Sequence, residues 1–261
     1  MLHLGGEFPP PNGAGLQISN NSSASNSMLE INKIHLMDCL QGLKKIESNS
    51  VDLVVTDPPY NIANPKKLTK VGNKIISTKE AWGEWDTYHP FDYDLLIMQI
   101  ITECYRVLKE GGSFYMFTAN EDVGYFIRKA LQRGFTLRNM LSIVKKNPLP
   151  SFHKKNWRHG FELCMYLTKG KPKAFNFVSQ QDCVNYYLHA LGKKDSKHPT
   201  EKPLQLIKRM IKVSSNKNDL VLDPFMGSGT TAVASKLLNR NFIGFELNKE
   251  YLKMAEGRLN G

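Results

Sequence analysis

The stretch D-L-V-L-D-P-F-M-G-S-G-T-T, Asp219 to Thr231, runs from a short apolar segment through an acid and a proline to two glycines and a pair of threonines. Asp219 to Leu222 reads as a buried strand, and Thr230 to Leu238 as the helix that follows it across a glycine turn. V-D-L-V-V-T-D-P-P-Y, Val51 to Tyr60, ends the same way, with Asp57 just beyond a buried strand from Val51 to Thr56. Around these two anchors short apolar runs alternate with amphipathic stretches. Ile31–Met37, Ser113–Thr118, Thr136–Val144, Phe161–Thr168 and Asn241–Glu246 read as strands, and Leu40–Ile46, Phe91–Lys109, Asp122–Arg133, Pro203–Val213 and Lys249–Leu259 as helices. Gly111–Gly112 marks a stop between helix and strand, and Asn61 to Pro90 reads as a long polar loop. This alternation predicts an α/β fold with a doubly wound, mostly parallel sheet. Ligands of such sheets bind beyond the carboxyl ends of the strands, where strand order reverses, so Asp57 and Asp223 are expected to open onto one edge.

The 261 residues suffice for one sizeable domain, or a domain with a small insert. Residues 1–27, rich in Gly, Pro, Asn and Ser, read as a flexible tail or an appended leader, which leaves 28–261 as the folded domain. A formal charge of +11 favours a polyanionic partner over an acidic small molecule, with plain solubility as the other reading. Cys39, Cys104, Cys164 and Cys183 lie far apart, without the spacing of a zinc site or a disulfide framework. No apolar run approaches the ~18 residues of a membrane span and no secretory signal opens the chain, so a cytoplasmic protein is expected.

The glycine turn lacks the third glycine of a dinucleotide fingerprint and the lysine of a P-loop. Gly227 and Gly229 still allow a ligand close to the backbone, and the helix opening at Thr230 favours a carboxylate there. Glu246, ending the next strand, stands where an acid accepts hydrogen bonds from a ribose diol. An adenosine carrying a carboxylate instead of phosphates matches S-adenosylmethionine; the alternative is a glycine turn beside a helix-capping acid. Asp57-Pro58-Pro59-Tyr60 likewise has two readings, ordinary turn chemistry or a rigid catalytic clamp.

Taken together, Asp57-Pro58-Pro59-Tyr60 and Asp223-Pro224-Phe225-Met226-Gly227-Ser228-Gly229-Thr230-Thr231 resemble the amino-methyltransferases of DNA restriction-modification systems. The catalytic tetrapeptide precedes the cofactor motif, which is similar to the circularly permuted order of the beta class. Met37-Asp38-Cys39, Val107 to Gly112, Lys146 to Pro150 and His198 to Pro203 match in the same order, so the resemblance covers about Met28 to Leu259. It implies a Rossmann-like fold, S-adenosylmethionine as cofactor, no metal, and double-stranded DNA as substrate, with the target base turned out of the helix. Asp in the first position of the tetrapeptide is the family's usual mark for adenine; cytosine N4 is the runner-up, and a catalytically inactive DNA-binding module the reading from another class. The resemblance implies that Asp57 and the Pro58 carbonyl accept the target amino group, that Pro59 stiffens the turn and that Tyr60 stacks on the base. It places the cofactor among Asp38, Cys39, Asp57, Asp223, Phe225, Gly227, Gly229, Thr230 and Glu246, with His198, Thr200 and Lys202 closing the methionine end. His-Pro-Thr can equally start a helix with a capping threonine. Any restriction endonuclease would be a separate chain, and dimers are frequent in the family.

Lys145 to Lys173 holds eight basic residues and one acid, with Phe152, His153, Trp157 and His159 interleaved. Cations that hold phosphates beside aromatics that stack on bases read as a DNA-facing wall, carried by Lys145, Lys146, Asn147, His153, Lys154, Lys155, Trp157 and Arg158. The resemblance puts the target-recognition region at about 145–197. The loop 61–90, with five lysines and then Trp82 and Trp85, reads as a mobile lid or as a long loop pinned by its tryptophans.

Overall fold

In the computed structural model, residues 29–61, 68–71, 74–77, 88–148, 150, 154–190 and 201–261 are described. Their elements are β1 (Lys33–Leu36), α1 (Cys39–Lys44), β2 (Val51–Thr56), β3 (Leu68–Val71), β4 (Lys74–Ser77), α2 (Pro90–Val107), β5 (Leu108–Thr118), α3 (Val123–Gln132), β6 (Phe135–Lys145), β7 (Phe161–Lys169), β8 (Tyr186–His189), α4 (Leu204–Ser214), β9 (Leu220–Asp223), α5 (Thr230–Leu237), β10 (Asn241–Glu246) and α6 (Lys249–Asn260). Eight strands form one sheet in the order β1-β10-β9-β2-β5-β7-β6-β8. β1, β10, β9, β2 and β5 run parallel, β7 is antiparallel to both neighbours, and β8 runs parallel to β6. From β2 the chain crosses to β5 on one side; it later returns to β9 and continues to β10 on the other. Strand order therefore reverses between β2 and β9, and Asp57 and Asp223 stand at the carboxyl ends of those two neighbours.

Side chains alternate across a strand, and both faces here are covered. Val54, Phe114, Met116, Leu222 and Ile243 face α1, α2 and α3 through Leu43, Ile97, Ile101 and Phe126. Their neighbours Leu53, Val55, Tyr115, Phe117 and Val221 face α4 and α5 through Ile207, Met210 and Ala234. Phe242 and Ile34 continue that second layer under α6. The result is the doubly wound, mostly parallel sheet that the alternating pattern predicts.

Three local expectations need correcting. The residues 61–90 are not wholly loop, because β3 and β4 pair as an antiparallel hairpin; Trp82 and Trp85 lie outside the described residues. β8 is an additional four-residue edge strand, with Tyr186 and Leu188 exposed and only Tyr187 packed against the core, so its apolar signal is short. Gly111–Gly112 does not separate α2 from β5. α2 ends at Val107, Leu108 pairs at once with Val51, and the glycines sit inside a register shift of the strand. Gly111 takes a φ of +81°, where an added Cβ would lie 2.9 Å from the Lys171 carbonyl, so the pair serves a bulge rather than a stop.

Helix α1 is only six residues long and depends on outside groups at both ends. Asp38 caps its start by accepting from the Gln41 amide at 3.0 Å, and Arg106 donates to the Leu43 and Ile46 carbonyls at 2.8 and 2.9 Å. Its Gly42 packs against Phe245: a Cβ there would stand 2.4 Å from the ring of a fully buried side chain. Alanine would add helix propensity of up to about 1 kcal/mol but overpack the core by about 1–3 kcal/mol. Gly42→Ala should therefore lower unfolding stability in urea, and a variant as stable as the parent would show that α1 can move off the sheet.

Candidate active site

Beyond the carboxyl ends of β2, β9 and β10 lies a cleft of about 390 Å³. Its floor is the turn between β9 and α5. Asp223 holds that turn: one carboxylate oxygen accepts the Phe225 amide at 3.0 Å and the other the Thr231 hydroxyl at 2.6 Å. Gly227 and Gly229 carry the turn through φ values of 54° and 82°. A Cβ on Gly229 would meet Ala255 Cβ at 2.7 Å, so the backbone there must be bare for α6 to close on it. Glu246 accepts the Gly227 amide at 2.8 Å and the Asn248 amide at 2.7 Å, which fixes the acid over the turn while leaving lone pairs toward the cleft. Burial holds its carboxyl above the ordinary range.

Asp38, Cys39, Asp57, Lys202, Asp223, Phe225, Gly227, Thr230 and Glu246 all line this cleft. Gly229 lies just outside the lining and acts through backbone shape. His198 and Thr200 fall outside the described residues. Among groups the sequence did not single out, Leu96, Phe117, Leu247 and Tyr251 supply apolar wall, beside Met37 of the Met37-Asp38-Cys39 stretch. Arg258 is another: its guanidinium donates to the Ser228 carbonyl at 2.8 Å and to the Ser228 and Thr230 hydroxyls, and pairs with Glu201 at 2.7 Å. It ties the glycine turn to the segment ahead of α4.

At the mouth of the cleft Asp57 is the centre of a half-buried polar cluster. The Tyr60 hydroxyl donates to its Oδ1 at 2.7 Å, and Lys202 Nζ donates to its Oδ2 at 2.7 Å. Lys202 also lies 3.3 Å from the Tyr60 oxygen, 3.3 Å from Glu162 Oε2, and over the Phe117 ring at 4.9 Å. Glu162 in turn pairs with Lys145 at 2.7 Å. Pro58 and Pro59 are buried, and Pro59 lines the cleft. Burial raises the Asp57 carboxyl above its usual range against the pull of Lys202 and Tyr60. Burial also works to raise Glu162, yet Lys202 and Lys145 together outweigh it and pull that carboxyl down to about 2. For Lys202 burial is again the largest influence and opposes the charge, but Asp57 and Glu162 hold the ammonium above its ordinary value.

The geometry adds two contacts and revises one expectation. Lys202 sits on Asp57 as well as lining the cleft. The Tyr60 hydroxyl is committed to Asp57. The basic segment is not one wall. β7 runs antiparallel and carries Lys169 to the far end of the sheet, where its ammonium binds Asn49, Tyr105 and Leu108 oxygens, and Lys173 follows beside Gly111. On the site side remain Lys145, turned inward to Glu162, and the exposed Lys146, Asn147, Lys154, Lys155, Trp157 and Arg158. Trp157 is 93% exposed, and Arg158 donates to the Pro148 carbonyl. His153 lies outside the described residues.

Burial pushes the Asp223 carboxyl up to about 7, against about 3.9 for an unfolded chain. The native state keeps this proton between those values and the unfolded state does not, so its contribution is complete below about pH 4 and is lost as pH rises to about 7. Asp223→Asn removes the charge while keeping an acceptor for the Phe225 amide, and its NH2 can donate to the Thr231 hydroxyl in place of accepting from it. Urea unfolding from pH 4 to 7 should show the parent losing a few kcal/mol relative to this variant. A difference constant with pH would mean that Asp223 stays ionised.

The family model described as DNA methylase, for N6 and N4 enzymes, matches residues 51–257. The chain is 33% identical over 241 residues to the Type II methyltransferase M2.LlaDCHI of Lactococcus lactis subsp. cremoris, covering 85% of this chain and 87% of the relative. It is 32% identical over 276 residues to the Type II methyltransferase M1.MboII of Moraxella bovis, covering 89% and 98%. The crystal structure of the M1.HpyAVI-SAM complex superposes with a TM-score of 0.66 at 28% identity, covering 88% of this chain and 99% of that one. The cytosine-N4-specific PvuII DNA methyltransferase, with a TM-score of 0.68 at 21% identity over 87% and 85%, is similar in fold. With a matched span that starts at the Asp57 strand, crosses the glycine turn and ends in α6, the chain belongs to the N6/N4 DNA methylase family.

Proposed function

We propose that the protein is a DNA methyltransferase of the Type II restriction-modification kind that uses S-adenosylmethionine to methylate the exocyclic N6 amino group of adenine in double-stranded DNA, with the base turned out of the duplex. The observation that carries this reading is the placement of Asp57 at the mouth of the same cleft whose floor is the Asp223, Gly227 and Glu246 turn. An acceptor for an amino group thus stands beside a pocket suited to an adenosine. The cleft volume falls within the roughly 300–1,000 Å³ usual for small-molecule sites. Glu246 retains acceptor capacity for a ribose diol, Gly227 exposes backbone, and Asp38 and Cys39 flank the apolar side where an adenine would lie.

When bound, the sulfonium supplies an electrophilic methyl: the N–C bond forms as the S–C bond breaks, sulfur keeps the pair, and the amino group afterwards loses a proton to solvent. The residues of the chain prepare the nucleophile. An exocyclic amino lone pair is delocalised into the ring, and charge appears on nitrogen only as the methyl arrives. Asp57 and the Pro58 carbonyl, as acceptors for the two N–H groups, therefore stabilise the transition state more than the ground state. Prolines hold that carbonyl rigidly and offer no local donor to it. The Tyr60 hydroxyl orients Asp57 while its ring serves the base. The choice of adenine rests on Asp57 heading the tetrapeptide.

The target-recognition region is assigned to about 145–197, with Lys146, Lys154, Lys155 and Arg158 on phosphates and the exposed Trp157 as the aromatic able to stack at the vacated base. Methyl transfer from labelled cofactor to mixed-sequence duplex DNA, followed by digestion and mass analysis of the nucleosides, tests the proposal: N6-methyladenine supports it, N4-methylcytosine moves the substrate, and no product sinks it. Asp57→Ala should lose about 10²–10⁴ in turnover while still binding DNA; near-parental turnover would remove Asp57 from the clamp. Neutralising Lys154, Lys155 and Arg158 together should lower the salt slope of DNA binding by about 2–3 with cofactor affinity unchanged. An unaltered slope would leave these residues facing solvent.

A further inference from the structure

Glu162 is the second residue of β7, the strand that runs against its neighbours, and is the sole acid between Lys145 and Lys173. Its Cα is held in register opposite Ile143, so its side chain leaves a fixed point of the sheet. Two ammonium groups converge on it, Lys145 at 2.7 Å on one oxygen and Lys202 at 3.3 Å on the other. Lys202 reaches past it to Asp57 at 2.7 Å. The four groups form a chain, Lys145–Glu162–Lys202–Asp57, of two positive and two negative charges running from the foot of the basic segment to the clamp. Glu162 is a backbone-anchored partner that competes with Asp57 for the same cation.

That competition bears on chemistry. A carboxylate already compensated by an ammonium at short range is a weaker acceptor for a third donor, because part of its charge is spent on the first. The amino group of a target base needs that acceptor strength as it turns positive. The longer of the two Lys202 contacts, the one to Glu162, has room to shorten. We infer that Glu162 is a positioning residue for methyl transfer: by sharing Lys202 it draws the ammonium away from Asp57 and leaves the Asp57 carboxylate available to the target amino group. This rests on the reading of Asp57 as the amino-group acceptor. With Glu162 neutral, Lys202 has one anionic partner in the cluster and its full charge falls on Asp57. The Tyr60 hydroxyl binds the other Asp57 oxygen.

The test is single-turnover methyl transfer with enzyme in excess over sites, using labelled S-adenosylmethionine and mixed-sequence unmethylated duplex DNA, alongside equilibrium binding of each. Glu162→Gln, nearly isosteric and still able to hydrogen-bond, should slow the transfer step about tenfold or more while both dissociation constants stay within about twofold. Glu162→Asp, which keeps the charge, should recover most of the rate. The inference also requires that Glu162 act through Lys202: in a Lys202→Met background, Glu162→Gln should cause no further loss. A parental rate for Glu162→Gln, a loss of equal size with and without Lys202, a Glu162→Asp variant as slow as Glu162→Gln, or an effect confined to DNA affinity would each overturn it, the last by assigning Glu162 to Lys145 and the duplex. Absence of transfer by the parent protein would instead overturn the functional reading, and this inference with it.

Discussion

A single ammonium, that of Lys202, stands between two carboxylates with only 11% of its side chain exposed. Taking such ions out of water costs several kcal/mol each, and the mutual attraction repays it only where geometry is good and the remaining donors are used. Here the sheet supplies the geometry. β2 delivers Asp57 from one direction, the antiparallel β7 delivers Glu162 from the other, and the segment ahead of α4 brings in the cation. Tyr60 and Lys145 take up further lone pairs at the two ends of the cluster. The neighbouring Glu201 is bound to Arg258, which grips the glycine turn. Two consecutive side chains, Glu201 and Lys202, thus fasten the glycine turn and the Asp57 cluster to one another. Displacement of that short segment would disturb both halves of the site together.

The fold was legible because its informative positions are local. A buried strand that runs into an acid and a proline is visible within a dozen residues, and it occurs at both strands that flank the point where order reverses, with a helix start close behind it at β9. The lining groups Asp57, Asp223, Phe225, Gly227 and Glu246 share that advantage, since each sits on or just past the carboxyl end of a strand. The remainder of the site depends on pairs that no spacing announces. Lys202 and Asp57 are 145 residues apart, and Arg258 reaches back 30 residues to Ser228. A charge count over Lys145 to Lys173 could not register that β7 reverses and carries Lys169 to the opposite rim, because composition holds no direction. β8 escaped for a related reason: it is a four-residue edge strand in which Tyr187 packs inward while Tyr186 and Leu188 are exposed, too short a run for its alternation to stand out.

The order of strands in space also sets the order in which the molecule can assemble. β1 pairs with β10, Lys33 opposite Ile243, so the first of the described strands has its sheet partner near the other end of the described chain. The β2–β5 pair and the β6–β7 hairpin connect nearby segments, whereas β2 must wait for β9 before its second edge is covered. Contacts of such long sequence separation slow folding and leave strand edges open in the interval. The edge left open longest at the centre is that of β2, the strand that presents Asp57. The active-site strand therefore spends its early life as an uncovered β-edge in the nascent chain, exposed to mispairing until the last third of the described sequence arrives to shield it.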